Sequence, residues 1–339
     1  MPAIMTTTVS ILLPVLNAEP FLSACLDSVL AQDIPDWELW AVDDHSSDGS
    51  PAILSGYAAR DHRIRWCHNE GKGIAPALRT AFQRTAGALV TRMDADDLML
   101  PTKLRCLRDA LREHPDRRAV AIGKVRYFGD QGLGAGYRRY ADWLNGLADG
   151  RRHYLEIYRE CTIPSPCWMT WRENLSICGA FREDIYPEDY DLAFRFRAAG
   201  LQILACPEVL HAWRDHPDRS SRTQDVYADN AFLPLKVSWF LMADYDSDRT
   251  LVVWGAGRKG KVVAGLLAAR NIAFSWVCDN PRKCGHIIRG VRLQSPESLR
   301  NMPRPQVLVT VAARGAADEI GRWMDAGGLS EGRDYFFFC

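Results

Sequence analysis

Apolar runs and amphipathic stretches alternate along the N-terminal part of the chain. Residues 9–15 form a nearly continuous apolar run, the pattern of a strand covered on both faces. Phe21, Leu22, Cys25, Val29 and Leu30 then recur at helical spacing over residues 20–32. A second strand over 37–42 stops at the polar cluster 43–49. The same rhythm predicts helices over 51–60 and 74–85 and strands over 63–68 and 88–93. Such strand–helix alternation implies an α/β fold, a mostly parallel sheet flanked by helices. Periodicity weakens between 123 and 166, where clustered glycines precede an aromatic-rich stretch, read as helical, around Tyr140, Trp143, Tyr154 and Tyr158. Helices are expected over 191–199 and 227–244, with a polar linker over 244–248. A fresh strand over 251–254, a glycine-rich turn, a helix over 261–270 and strands over 274–278 and 306–311 follow. Two domains are therefore expected, 1–245 and a smaller α/β domain over 246–339.

Charge narrows the possibilities. Forty-two Lys and Arg balance 42 Asp and Glu, so no global field favours nucleic acid. Ten cysteines show no C-x-x-C pair and no zinc spacing, and read as free thiols of a reducing compartment. Residues 1–8 lack the pattern of a signal peptide, and no apolar stretch reaches the ~20 residues of a membrane helix. The expected location is cytoplasmic, with peripheral contact at the inner face of the membrane left open.

Four polar clusters carry candidate chemistry. Asp94 and Asp96 follow an apolar strand, where an i, i+2 pair in extended geometry points to one side and suits a hard dication such as Mn²⁺ or Mg²⁺. A solvated turn, or a helix cap at Asp97, is the plainer alternative. Asp43 and Asp44 end the second strand, at the edge of the sheet where α/β ligands bind. Glu188, Asp189 and Asp191 open a helix; one acid suffices for capping, so a spare carboxylate is available as general base. Residues 211–222 interleave His, Arg and Ser in what reads as a polar loop after 207–210, suited to phosphate or metal. Trp168 and Trp171 are candidate stacking faces for an acceptor, since Pro164 and Pro166 suggest an irregular segment; core packing is the alternative.

Taken in order, the segments 10–17 (SILLPVLN), 42–49 (VDDHSSDG), 94–97 (DADD), 178–183 (CGAFRE), 188–192 (EDYDL) and 213–216 (WRDH) resemble the family 2 glycosyltransferases, which have the GT-A fold. The resemblance spans residues 8–225. It implies donor binding at Pro14, Asn17, Asp43, Asp44, Asp94, Ala95 and Arg214, and a metal at Asp94 and Asp96 completed by His216. It implies that Asp189 is the catalytic base, supported by Glu188, in a single inverting displacement, with Asp191 on the acceptor side. The implied donor is a nucleoside-diphosphate sugar, a UDP-sugar foremost, and the acceptor a glycan or lipid-linked glycan of a bacterial surface polymer. In one respect the chain departs from the family: Leu78 stands where an arginine is frequent, so Arg79 is the candidate substitute at the donor.

The C-terminal Gly255-x-Gly257-x-x-Gly260, with Asp279 ending the next strand, fits the dinucleotide fingerprint and resembles small Rossmann-like modules of bacterial sugar-processing enzymes. It is a possible second nucleotide site, with packing or homo-oligomerisation the competing role. Two rival readings remain: an NAD(P)-dependent oxidoreductase built on that motif, and a non-catalytic sugar-binding subunit.

Overall fold

The computed structural model describes residues 8–129, 135–217, 219 and 231–339. These residues fall into two compact units, one within 8–153 and 162–219 and one within 154–161 and 231–339. In the first, β1 (Val9–Val15), α1 (Glu19–Leu30), β2 (Trp37–Asp43), α2 (Ser50–Arg60), β3 (Ile64–His68), α3 (Ile74–Arg84) and β4 (Leu89–Arg92) alternate as the pattern predicts. Then come β5 (Leu98–Met99), α4 (Lys103–Glu113), β6 (Ala119–Phe128), α5 (Ala135–Gly150), β7 (Trp168–Trp171), α6 (Arg172–Ile177), α7 (Glu188–Ala198) and β8 (Gln202–Arg214). The sheet order is β3-β2-β1-β4-β7-β6-β8-β5. The first four strands run parallel, whereas β7 lies antiparallel between β4 and β6. Val9, Ile11, Leu12, Leu13, Leu39 and Leu89 are wholly buried, which is why these strands read as continuous apolar runs.

Three expectations need correction. The helix α5 ends at Gly150 and does not reach Tyr154 or Tyr158; Arg151 takes φ 53° and breaks it. The segment holding Pro164 and Pro166 is irregular only through Cys167; Trp168 and Trp171 themselves lie in β7, in the middle of the sheet. Nor do residues 211–214 form a loop. They end β8, a 13-residue strand that the exposed Pro207, Glu208 and Val209 disguise. Its pairing with β6 shifts register around Lys124, and such a bulge tolerates the missing proline N–H. Gly123 permits this close approach: a Cβ there would sit 2.6 Å from Leu210 Cδ1.

The second unit holds α8 (Leu233–Ala243), β9 (Thr250–Trp254), α9 (Arg258–Ala268), β10 (Ser275–Val277), β11 (Ile287–Ile288), β12 (Val291–Gln294), β13 (Pro305–Val309), α10 (Ala316–Ala326) and β14 (Tyr335–Phe337). Its sheet order is β11-β12-β10-β9-β13-β14, parallel except for the edge pair β11–β12. All ten cysteines are free thiols, five buried and five half-buried. No described helix is long and apolar enough to cross a membrane.

Candidate active site

The site lies at the carboxyl end of β4. Arg92, the last residue of that strand, is 5% exposed, and a buried guanidinium requires partners. Its Nε donates to Asp94 Oδ1 at 2.7 Å and its Nη1 to Glu188 Oε1 at 2.8 Å. One side chain thus ties the acidic turn after β4 to the first turn of α7. Both carboxylates hold the Arg92 cation charged well above its ordinary range, against the cost of burial. The second oxygen of Glu188 is buried without a hydrogen-bond partner. Asp189 is half-buried beside it, and its Oδ1 accepts from the Tyr190 N–H at 2.7 Å. Burial first, then the neighbouring Glu188 carboxylate, raise the Asp189 carboxyl to about 7.

Past Arg92 the chain turns, the Asp97 N–H donating to Asp94 O at 3.2 Å. The backbone from 94 to 97 is thus a turn, not the extended segment that the i, i+2 reading assumed. Asp94 faces Arg92, while Asp96 meets His216 Nε2 at 3.0 Å. Burial, followed by Asp97, raises the Asp96 carboxyl. The other ring nitrogen of His216 is buried and has no hydrogen-bond partner. Among the described residues, no three His, Cys, Asp or Glu side chains cage a metal alone. The donor set fits a dication held by one or two protein ligands with substrate phosphate completing the shell.

Asp97 has a different task. Its carboxylate, 2% exposed, meets His211 Nε2 at 3.0 Å and accepts from the Arg214 N–H at 2.8 Å. His211 Nδ1 lies 3.3 Å from the buried Lys103 Nζ, which donates to Pro166 O. This chain clips the end of β8 to the acidic turn. Arg214 Nε donates to Asp96 O at 2.7 Å, and its guanidinium stacks over Phe21 and Phe128.

The other anticipated donor residues surround the ends of β1 and β2. Pro14 pairs with Val42 in the sheet, and Asn17 Oδ1 accepts from the Ser47 N–H at 2.8 Å. Asp43 is buried and meets His68 Nδ1 at 3.1 Å. Asp44 accepts from Asn69 Nδ2 at 2.7 Å and from the Gly73 N–H at 2.8 Å. Ala95 is buried in the acidic turn. Arg79 is turned elsewhere: it donates to Phe181 O at 2.9 Å and pairs with Glu183 at 3.3 Å. Trp168 and Trp171 are buried in β7, the first edge-on to Phe196 and the second beneath Arg117. Asp191 is fully buried and bonded to Arg195 Nε at 2.7 Å. Arg92 carries no role in the sequence reading, and His211 enters it only as a member of the cluster 211–222. A lone arginine closing the apolar run 89–93 was the signal for the first, because a buried cation must be paired.

The family model "Glycosyl transferase family 2" matches residues 10–176. EpsE of Bacillus subtilis, which carries a glycosyltransferase name, is 28% identical over 66% of this chain and 80% of its own length. Two other curated relatives are matched over only 24% and 27% of their lengths. Staphylococcus aureus TarS, solved in complex with UDP-GlcNAc, superposes with TM-score 0.54 at 18% identity, covering 77% of this chain and 71% of that one. A mannosyltransferase from Pyrobaculum calidifontis, solved with GDP-Man and Mn²⁺, gives TM-score 0.50 at 21% identity over 78% and 70%. These likenesses and the mixed sheet around β4 identify the GT-A fold. Residues 10–176, just under half of the chain, are thus similar to the glycosyl transferase family 2 domain.

Proposed function

We propose that this chain is an inverting glycosyltransferase that moves a sugar from a nucleoside-diphosphate donor, a UDP-sugar foremost, to a hydroxyl of a glycan or lipid-linked glycan. The oxidoreductase and binding-subunit alternatives leave the acidic turn and the α7 carboxylates without a role. The observation that carries the proposal is the bridge Asp94–Arg92–Glu188, which joins the acidic turn after β4 to the first turn of α7.

In this reading Asp43, Asp44 and Asn17, at the carboxyl ends of β1 and β2, frame the base and ribose. Arg214 and His216 lie against Asp96, on the diphosphate side. A divalent cation held by Asp96 and His216, with Asp94 nearby, would supply charge neutralisation for the departing diphosphate. Asp189 takes the acceptor proton as the acceptor oxygen attacks the anomeric carbon, and the bond to the diphosphate breaks on the opposite face. A carboxyl raised to about 7 is matched to that task, since a general base works best near ambient pH. Glu188, held by Arg92, keeps the base raised and oriented. The role assigns the chain to bacterial surface-glycan assembly at the cytoplasmic face of the membrane. We also read the second unit as a Rossmann-like module.

Asp189→Asn tests the proposal. The variant should bind UDP and Mn²⁺ as wild type does, yet release diphosphate nucleotide in the presence of acceptor about 10²–10⁴-fold more slowly. Wild-type turnover in that variant would remove Asp189 from the mechanism.

A further inference from the structure

Outside the first unit, a cavity of about 470 Å³ opens at the carboxyl ends of β9, β10 and β13. Its lining comes from the turns after all three strands: Gly255–Lys259, Cys278–Asn280 with Lys283, and Thr310–Ala312 contribute. The sheet grows from β9 in both directions, through β10 and β12 on one side and β13 and β14 on the other. Strand order thus reverses at β9, and open parallel sheets take their ligands beside such a reversal. The volume lies in the lower half of the ~300–1,000 Å³ range of small-molecule sites, which suits one nucleotide better than a dinucleotide.

The three glycines of the turn separate by what the fold asks of them. Gly255 has φ 121°, and a Cβ on it would sit 2.6 Å from Thr310 Oγ1. A Cβ on Gly260 would sit 1.9 Å from Gly255 O. Both are imposed by the packing of β9, α9 and β13. Gly257 is not. Its φ is −81°, and nothing lies within 4 Å of the place a Cβ would take. As N-cap of α9 the position takes glycine or a small polar residue, and no neighbouring atom requires it to lack a side chain. The space above it belongs to the cavity.

Charge then selects the ligand. Arg258, Lys259 and Lys283 line the cavity against one acid, Asp279. The Lys283 ammonium donates to Ala256 O at 3.3 Å, which places it over the glycine turn with protons to spare. Both Asp279 oxygens accept from the single Trp254 Nε1–H, at 3.0 Å each. The indole fixes the carboxylate at the rim and leaves lone pairs for hydroxyl donors. We infer that this cavity binds a single ribonucleoside diphosphate, with its phosphates over Gly257 beside Lys283 and its ribose hydroxyls on Asp279.

The test is calorimetric titration of the full chain with ADP and with UDP in excess EDTA. Asp96→Ala, Gly257→Asp and Lys283→Ala are titrated in parallel. Aspartate is a good residue at a helix N-cap, the position Gly257 holds on α9, so the fold should accept it while phosphate is repelled. At least one nucleotide should bind wild type with Kd below about 1 mM. Gly257→Asp should weaken that binding tenfold or more with Tm unchanged or raised, whereas Asp96→Ala leaves it intact. If neither nucleotide binds wild type, or if binding survives in Gly257→Asp, the inference is overturned. Binding lost only in Asp96→Ala would also overturn it, by placing the nucleotide in the first unit. Should Gly257→Asp unfold, Lys283→Ala decides by the same comparison. None of these outcomes bears on Asp189, so the glycosyl-transfer proposal stands or falls separately.

Discussion

A carboxylate serves as base only when ionised, and the surroundings of Asp189 oppose ionisation. Burial and the Glu188 charge raise its carboxyl to about 7. The kcat/KM for transfer should therefore rise with pH through a midpoint near 7 and level off above it. Glu188→Gln removes one raising influence and loosens Arg92 toward Asp189, and both changes favour the carboxylate. The midpoint should move to lower pH, while a variant that merely damaged packing would lower the plateau without moving it. Folding linkage has the opposite sign. A carboxyl raised in the native state contributes stability that is present below its unfolded value of 3.8 and lost as pH climbs through about 7. Asp96 and His216 make a second residue-level claim, because they face each other at 3.0 Å. His216→Ala should raise the Mn²⁺ concentration for half-maximal activity about tenfold, roughly 1.4 kcal/mol. Asp96→Ala should remove saturable Mn²⁺ dependence, and an unchanged Mn²⁺ titration in both variants would count against this pair as ligands.

At the scale of elements, the parts legible in the sequence are those whose burial is uniform. The strands β1, β2 and β4 are covered on both faces, so their apolar runs announce them, and the polar residues that end them mark the site. β8 was illegible because its middle is exposed and bulged while its end is buried. His211 on this strand and its partner Asp97 in the acidic turn are polar yet 0% and 2% exposed, and no periodicity distinguishes a buried polar pair from a solvated loop. The partner of Arg79 was illegible for a related reason: position along α3 does not say that Phe181 O will accept from its guanidinium. The Asp97 clip can be tested as an element-level feature. Asp97→Ala leaves His211 and the Arg214 N–H buried without their acceptor, at a cost of about 2–5 kcal/mol. Urea unfolding should show that loss with an unchanged m-value. A shift under ~0.5 kcal/mol would mean that β8 is held in place without the clip.

For the whole molecule, chain order and compact units do not coincide. Residues 154–161 leave the first unit and pack with 231–339. Tyr158 is 1% exposed there, stacked on Phe338 with ring centroids 5.2 Å apart and set edge-on to Phe336 at 5.6 Å and Phe240 at 6.0 Å. Its hydroxyl also donates to the Asp244 carboxylate. Cutting the chain at the polar stretch 244–248, an obvious place on sequence grounds, would strip Phe336 and Phe338 from this cluster and expose Tyr158 and Phe240. An expressed fragment 1–245 should accordingly be poorly soluble and bind a hydrophobic dye, although the acidic turn and the α7 carboxylates are all present. In the full chain, Phe338→Ala should cost about 3–5 kcal/mol, the range for emptying a buried aromatic site. A fragment 1–245 that stays monomeric and unfolds cooperatively at the wild-type Tm would show that Tyr158 does not depend on the C-terminal strands.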